Sequence, residues 1–172
     1  MSTAVSVTVT HLQMTSADQF RPSIRNVEGI ALQLEELPTA AAVMAECYRR
    51  VGRDWHWHDR ADWTATQWAT LLQQPGSELW TARRDRELVG FYLLLLCGND
   101  REVQYFGLVP EWIGRGIGGW LLTEAISRAW VTSPERVVLN TCSLDGPAAL
   151  PNYLARGFMI EREEQQWRTL PE

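Results

Sequence analysis

The sequence predicts an α/β (α+β) fold in which a mixed, mostly antiparallel sheet of about six or seven strands is flanked by about four helices. Three apolar segments between residues 79 and 109 are separated only by short polar turns, which is the pattern of an antiparallel meander. After residue 109, segments of helical periodicity alternate with a β-branched segment, which favours a mixed sheet with helices packed on it.

Two strands and one helix are predicted before residue 53. Residues 5–14 alternate valines with small polar residues, as a half-buried strand does, although a sticky extension has the same pattern. Residues 29–34 form the second strand candidate. Pro38 then opens a helix with one apolar side, and Gly52 stands where a C-terminal cap belongs.

The next segment, residues 54–60, is too dense in tryptophan, histidine and charged residues to be a simple linker. A second helix follows it. Thr64 and Gln67 have capping-box spacing, and Trp63 and Trp68 have the spacing of a hydrophobic staple. A Pro-Gly pair ends this helix.

The rest of the chain supplies the meander and the mixed part of the sheet. Short turns containing Asp or Gly separate the three meander strands, and a glycine-rich segment opens the third helix. The predicted strands cover residues 79–82, 88–97, 102–109 and 136–141, and one or two more cover residues 158–168. The third helix opens at the glycine-rich segment and ends at residue 133, and a fourth helix covers residues 147–156.

The composition favours one domain over residues 1–172, with residues 1–28 as an N-terminal strand or extension. The chain has 172 residues, 45% of them apolar, and nine tryptophans, which is ample material for a core. A net charge of -5 argues against nucleic acid or an anionic membrane as partner, so a small-molecule substrate is expected. All sixteen basic residues are arginine, which excludes a Schiff-base or phosphate-loop lysine.

The same features predict a cytoplasmic protein without a metal. The N-terminus lacks the pattern of a signal peptide, and the longest apolar run, residues 91–97, is too short to span a membrane. Three widely spaced cysteines suit a reducing compartment better than a disulfide framework. His56 and His58 have only the remote His11 as a further histidine, so no metal site is expected.

The strongest local signal is a glycine-rich turn at the start of the third helix. Glycines at positions 114, 116, 118 and 119 let the backbone approach a ligand, and free amides at a helix N-terminus attract anions. Arg115 adds a positive charge. A merely flexible connection would not explain so many glycines before a strongly amphipathic helix.

The same glycines also satisfy the G-x-G-x-x-G pattern of a dinucleotide-binding Rossmann turn. The context argues against that alternative, because four residues separate the preceding strand from the glycines and that strand belongs to an antiparallel meander. The next strand ends in Leu139 and Asn140, without an acidic residue for a ribose. Dinucleotide oxidoreduction therefore stands as the least favoured alternative.

These residues resemble the GNAT superfamily, whose coenzyme A signature, Q/R-x-x-G-x-G/A, follows a strand and a V-x-P step. Residues 108–110 match the step and residues 113–118 the signature, with Ile113 in place of Gln or Arg. Residues 153–158 resemble the family's Y-x-x-x-G-F ending, and Asp145 stands near a frequent asparagine, with Pro151 interrupting the helix. The resemblance extends from about Gly29 to the C-terminus. The tryptophan-rich segment and the strand before it also resemble unassigned bacterial members of the superfamily.

The resemblance implies acetyl-CoA as co-substrate. It implies that backbone amides hold the phosphates, that pantetheine pairs with the strand where the central strands splay, and that the Val109 amide stabilises the oxyanion. The residues expected to bind acetyl-CoA are Leu108, Val109, Gly114, Arg115, Gly116, Ile117, Gly118 and Gly119.

The resemblance also implies two catalytic residues. Glu102 lies at the strand position from which some members draw the amine proton, often through water, but a solvated strand-end carboxylate is the alternative. Tyr153 matches the tyrosine that gives a proton to the departing sulfur, but a half-buried core tyrosine is the alternative. Cys142 has no motif that would activate it as a nucleophile and is assigned to the core.

The acceptor pocket is expected in the tryptophan-rich segment, which lies between the first two helices, where this fold shapes that pocket. The faces of Trp55 and Trp57 suit an aromatic or cationic acceptor, although both residues can instead cap the core.

The function favoured is therefore N-acyltransfer from an acyl-CoA to a primary amine of a small molecule, by direct attack in a ternary complex, in a monomer or homodimer. The alternatives are a catalytically silent domain that senses acyl-CoA or binds a partner, and an enzyme using another donor such as an aminoacyl-tRNA.

Overall fold

The computed structural model describes residues 3–170, which form seven strands and four α-helices. The elements in chain order are β1 Thr3–Met14, β2 Ala31–Glu35, α1 Ala40–Gly52, α2 Ala65–Leu72, β3 Glu78–Arg84, β4 Glu87–Cys97, β5 Asp100–Leu108, α3 Ile117–Trp130, β6 Val137–Cys142, α4 Ala149–Ala155 and β7 Met159–Leu170. No helix within residues 3–170 is long and apolar enough to cross a membrane.

The seven strands form one mixed sheet in the order β2-β3-β4-β5-β6-β1-β7. Strands β2 to β5 are an antiparallel meander, β5 and β6 are parallel, and β6, β1 and β7 pair antiparallel. The predicted fold class is thereby confirmed. The strand predicted over residues 5–14 is also confirmed, and Val7 and Val9 are buried in it, so this segment is an internal strand of the sheet.

Strands β5 and β6 separate soon after they meet. Their parallel pairing consists of Arg101 with Val137 and Glu102 with Val138. Beyond these pairs β5 continues to Leu108, so its remaining residues border a wedge-shaped gap instead of a ladder. The splayed strands expected from the sequence are present at this point.

Helices cover the two faces of the sheet near this gap. Leu121 of α3 lies beside Gly90 on one face, and Val51 of α1 lies beside Gly107 on the other. Gly90 pairs with Leu108, the neighbour of Gly107, so the two glycines point to opposite faces. The apolar side of α3 is fully buried against β4, β5 and β6.

The start of α2 follows the sequence prediction. The Thr64 hydroxyl accepts a hydrogen bond from the Gln67 amide at 3.3 Å, and the Gln67 side chain accepts one from the Thr64 amide at 2.8 Å. The rings of Trp63 and Trp68 lie 4.7 Å apart. The capping box and the staple are both confirmed.

Two local predictions need correction. Gly52 is the last residue of α1 rather than its left-handed cap, and Arg53, which follows in the right-handed region, is the capping residue. Glycine is required there because a Cβ would collide with the side chain of Trp57. Pro151 does not interrupt α4, because it lies in the first helical turn, where its missing N–H removes no helical hydrogen bond.

Candidate active site

A cavity of about 620 Å³ opens where β5 and β6 separate. Its lining comes from β5, from the first turn of α3, from β6 and the loop after it, from α4, from β7 and from the tryptophan-rich segment 54–60. This volume is in the range of small-molecule sites. The predicted site residues that line it are Leu108, Gly118, Tyr153, Trp55 and Trp57.

The backbone of β5 presents unpaired groups to this cavity. The Val109 amide donates to the Val89 carbonyl oxygen at 2.9 Å, so it is already bonded to β4. Because backbone groups alternate in direction along a strand, the N–H and C=O of Leu108 point away from β4 and into the gap. Leu108 therefore offers a free donor and a free acceptor to the gap, whereas the Val109 amide, which was expected to stabilise the oxyanion, is already bonded.

The glycine-rich turn has the backbone geometry that its sequence suggested. Gly114 and Gly116 have φ angles of 82° and 76°, which side chains other than glycine rarely adopt. Gly116 is the N-cap of α3 and has no side chain with which to cap it, so within residues 3–170 amides of the first turn remain free. These amides lie at the positive end of a 14-residue helix.

Three arginines surround this helix start. The guanidinium of Arg25 packs against Gly116, and Nη1 of Arg156 lies close to Gly119. Arg115 stacks on the ring of Trp112, 4.6 Å from its centroid. The Nε atom of Arg156 is buried without a hydrogen-bond partner within residues 3–170.

Such an arrangement is electrostatically unfavourable without an anion. Several guanidinium groups and the helix dipole bring positive charge to one place, and planar guanidinium groups suit phosphate oxygens. The site therefore fits a diphosphate. Sequence reasoning missed Arg25 and Arg156, because neither belongs to the glycine motif and Arg25 lies about ninety residues before it.

Tyr153 projects from α4 into the cavity and is 7% exposed. The rings of Phe106 and Phe158 lie 6.1 and 6.3 Å from its ring. Burial raises the pKa of its phenol well above the usual value, and the negative charge of Asp145 raises it further. The phenol therefore stays protonated at neutral and moderately alkaline pH.

Glu102 does not line the cavity. Its Oε2 accepts a hydrogen bond from the Cys97 thiol at 3.0 Å. The side-chain amide of Gln104 is oriented so that its nitrogen donates a hydrogen bond to Oε1 of Glu102 at 2.9 Å. Gln104 itself lines the cavity. Glu102 is thus separated from the cavity by one side chain, and its role as base stays a prediction.

Three carboxylates line the cavity: Asp54 and Asp59, which belong to the tryptophan-rich segment, and Asp145. Asp145 is held by the end of β6, where its Oδ2 accepts hydrogen bonds from the Thr141 hydroxyl and, at 2.9 Å, from the Cys142 amide. Burial raises the pKa of the Cys142 thiol, so this cavity-lining cysteine is a neutral thiol.

The tryptophan-rich segment forms an aromatic wall. The ring of Trp57 lies 5.5 Å from Tyr48 and 5.4 Å from Tyr105, and Trp55 packs against Gly146 after β6. Both tryptophans border the cavity. The positions of Trp55 and Trp57 are therefore compatible with acceptor binding, which stays a prediction.

Comparisons with known proteins connect this geometry to one family. The family model described as "Acetyltransferase (GNAT) family" matches residues 39–158. No curated protein matches the chain.

Solved structures share the fold at low sequence identity. A GCN5-related N-acetyltransferase from Sphaerobacter thermophilus has a TM-score of 0.74 and 18% identity, over 99% of this chain and 54% of its own. A GCN5-related N-acetyltransferase from Kribbella flavida has a TM-score of 0.66 and 14% identity, over 99% of this chain and 60% of its own. A tandem GNAT protein from the clavulanic acid biosynthesis pathway has a TM-score of 0.66 and 17% identity, over 94% of this chain and 53% of its own. The chain thus spans little more than half the length of these structures.

Proposed function

Because the chain belongs to the GNAT acetyltransferase family, we propose that it transfers an acetyl or other acyl group from acyl-CoA to a primary amine of a small molecule. The transfer is direct, within a ternary complex. One observation carries this proposal: a single cavity extends from Gly118 in the phosphate turn, past the free backbone of β5 and Tyr153, to the aromatic wall.

The chain offers separate groups for each part of the co-substrate. Amides of the first turn of α3, with Arg25 and Arg156, bind the phosphates. The carbonyl oxygen of Leu108 accepts a hydrogen bond from an amide of the pantetheine arm, as from an added strand. The bound co-substrate supplies an acyl group activated as a thioester.

Three protein groups then assist the exchange, in which a C–N bond forms and the C–S bond breaks. The Leu108 amide donates a hydrogen bond to the acyl oxygen as negative charge develops there. Tyr153 gives its proton to the departing sulfur. Glu102 takes the amine proton through water beside Gln104, since its carboxylate lies outside the cavity lining.

Amine-dependent release of coenzyme A tests the proposal. The purified protein is incubated with acetyl-CoA and each member of a panel of amines, and both the free thiol and the acetylated amine are quantified. We expect the two products to appear in equal amounts with at least one class of amine. Thiol release without acetylated amine in every case would contradict the proposal.

A second candidate is a catalytically silent domain that binds acyl-CoA. The position of Glu102 outside the cavity favours it, as does Ile113, which is 44% exposed where the family signature has a polar residue. Saturable binding of acetyl-CoA with no acetylated product from any amine would identify this alternative.

A further inference from the structure

Arg60, in the proposed acceptor region, carries a guanidinium group that is partly buried and lacks a full set of hydrogen-bond partners within residues 3–170. It lines the candidate cavity and also a second cavity of about 600 Å³, to which Trp63 belongs. Its guanidinium carbon lies 4.3 Å from the centroid of Trp63 and 5.6 Å from that of Tyr105, which lines the candidate cavity. Its Nη1 atom is buried and has no hydrogen-bond partner within residues 3–170. A buried donor without an acceptor is costly, and a bound ligand is one of the few explanations for it.

Arg168 of β7 brings a second positive charge to the same cavity. Neither Arg60 nor Arg168 forms a salt bridge with a carboxylate of residues 3–170. Arg162 on the same strand, by contrast, is paired with Glu164 at 2.9 Å. Of these two arginines of β7, the one that lines the cavity is the one without a salt bridge to another residue of the range 3–170.

Both arginines act on Tyr48. Its hydroxyl accepts a hydrogen bond from the Arg60 amide at 3.1 Å. Burial raises the pKa of Tyr48, and the positive charges of Arg60 and Arg168 both oppose that rise. Arg60, Arg168 and Tyr48 all line the same cavity.

The acidic side chains of the cavity add a second requirement. Asp59 and Asp54, the latter paired with Arg53 at 3.4 Å, line the same cavity. A purely anionic ligand is therefore repelled by the carboxylates and a purely cationic one by the two arginines. A molecule that carries an ammonium group and a carboxylate satisfies both sets of charges. The rings of Trp55 and Trp57 beside them add an apolar surface.

We propose that Arg60 and Arg168 bind a carboxylate of the acceptor, and that the acceptor class is amines bearing a carboxylate and an aromatic side chain, of which aromatic α-amino acids are the simplest. The inference rests on the proposed acyltransfer, because it assigns the acceptor end of that site. Bidentate guanidinium–carboxylate contacts would fix the orientation of the amine relative to the acyl group.

A matched pair of acceptor-like probes tests this inference without requiring turnover. L-phenylalanine and 2-phenylethylamine both carry an ammonium group and an aromatic ring, and they differ only in the carboxylate. Each is titrated into the protein in the presence of saturating coenzyme A, with tryptophan fluorescence and calorimetry as readouts. We expect the carboxylate-bearing probe to bind at least about tenfold more tightly.

Variants assign the effect to the two arginines. Arg168→Gln and Arg60→Gln should each weaken binding of the carboxylate probe by about ten- to a hundredfold and leave the other probe unchanged. Arg162→Gln, on the same strand but outside the cavity, is the matched control and should change neither affinity. Because Arg60 also stacks on Trp63, Arg60→Lys, which keeps the charge, should recover part of the loss.

Equal affinity of the wild-type protein for both probes, or no binding of either, would overturn the inference. An unchanged ratio of affinities in both glutamine variants would also overturn it. Titration of the same proteins with acetyl-CoA separates this outcome from failure of the proposed function. Acetyl-CoA binding without carboxylate preference defeats only the acceptor class, whereas absence of acetyl-CoA binding defeats the proposed function.

Discussion

Replacing Tyr153 by phenylalanine separates its proposed chemistry from its packing. Tyr153 lies between Phe106 and Phe158, so a phenylalanine ring fits the same space. The phenol has no hydrogen-bonding cause among the influences on its pKa, which are burial and the charge of Asp145. We therefore expect Tyr153→Phe to change the free energy of unfolding by no more than about 0.5 kcal/mol.

The effect on turnover should be far larger. A positioned general acid contributes about 10²- to 10⁴-fold to a rate, so kcat should fall by that factor while the affinity for acetyl-CoA stays unchanged. The assay is release of coenzyme A thiol with an amine found to be a substrate. Affinity is measured separately by calorimetry, and stability by thermal melting.

The pH dependence has a definite sign. Because burial raises the pKa of Tyr153, its acid form persists as pH rises from about 7 to 9. Over this range kcat should therefore hold or rise as the amine loses its proton, and the wild-type protein should show no alkaline loss assignable to Tyr153.

Tyr92→Phe is the matched control. Tyr92 is likewise buried, and burial raises the pKa of its phenol, but it does not line the cavity. Its replacement should leave kcat unchanged. If Tyr153→Phe is fully active, or if Tyr92→Phe loses as much activity, the role of Tyr153 as proton donor is refuted.

Further predictions concern the frame that positions the cavity. Glu78 binds two arginines, and Glu78→Ala leaves the Arg101 side chain, 3% exposed, unpaired, so the free energy of unfolding should fall by about 3–5 kcal/mol. Glu46→Ala removes an exposed helical pair and should cost at most about 0.5 kcal/mol in the same denaturation assay; equal losses would contradict the buried network. Gly52→Ala should lower the free energy of unfolding by about 1–3 kcal/mol and shift the fluorescence of Trp57, although alanine has the better helix propensity. Unchanged stability and fluorescence would contradict the close contact between Gly52 and Trp57.

Local patterns predicted most of the secondary structure. The meander, the capping box and the amphipathic α3 each depend on residues close in sequence, so periodicity and turn chemistry were sufficient. The place of β1 between β6 and β7 was not predictable in the same way. Its partners lie more than 120 residues away, as in the pairs Val9 with Cys142 and Val7 with Gln166, and no local pattern encodes such pairing.

The candidate site divides along the same line. The glycine turn and Tyr153 belong to contiguous motifs and were found from sequence. Arg25 and Arg168 were not, because they come from a loop and from the last strand, and only the fold brings Arg25 to the phosphate turn and Arg168 to the cavity. Arg60 belongs to the segment in which the acceptor pocket was expected, but nothing in the local pattern singled it out. The complete absence of lysine was the one available signal, since arginine is preferred where phosphate or carboxylate is bound bidentately.

Calorimetric titration with acetyl-CoA, coenzyme A and NAD tests most directly whether the cavity is an acyl-CoA site. Gly118 lines the cavity, and a Cβ there meets only ordinary contacts, so Gly118→Ala and Gly118→Leu should both fold. We predict binding of both coenzyme A forms in the micromolar range, about -8 kcal/mol, no binding of NAD, retention in Gly118→Ala and loss in Gly118→Leu. No binding of acetyl-CoA or coenzyme A to the wild-type protein, or an unchanged affinity for them in Gly118→Leu, would contradict the assignment of the cavity as an acyl-CoA site.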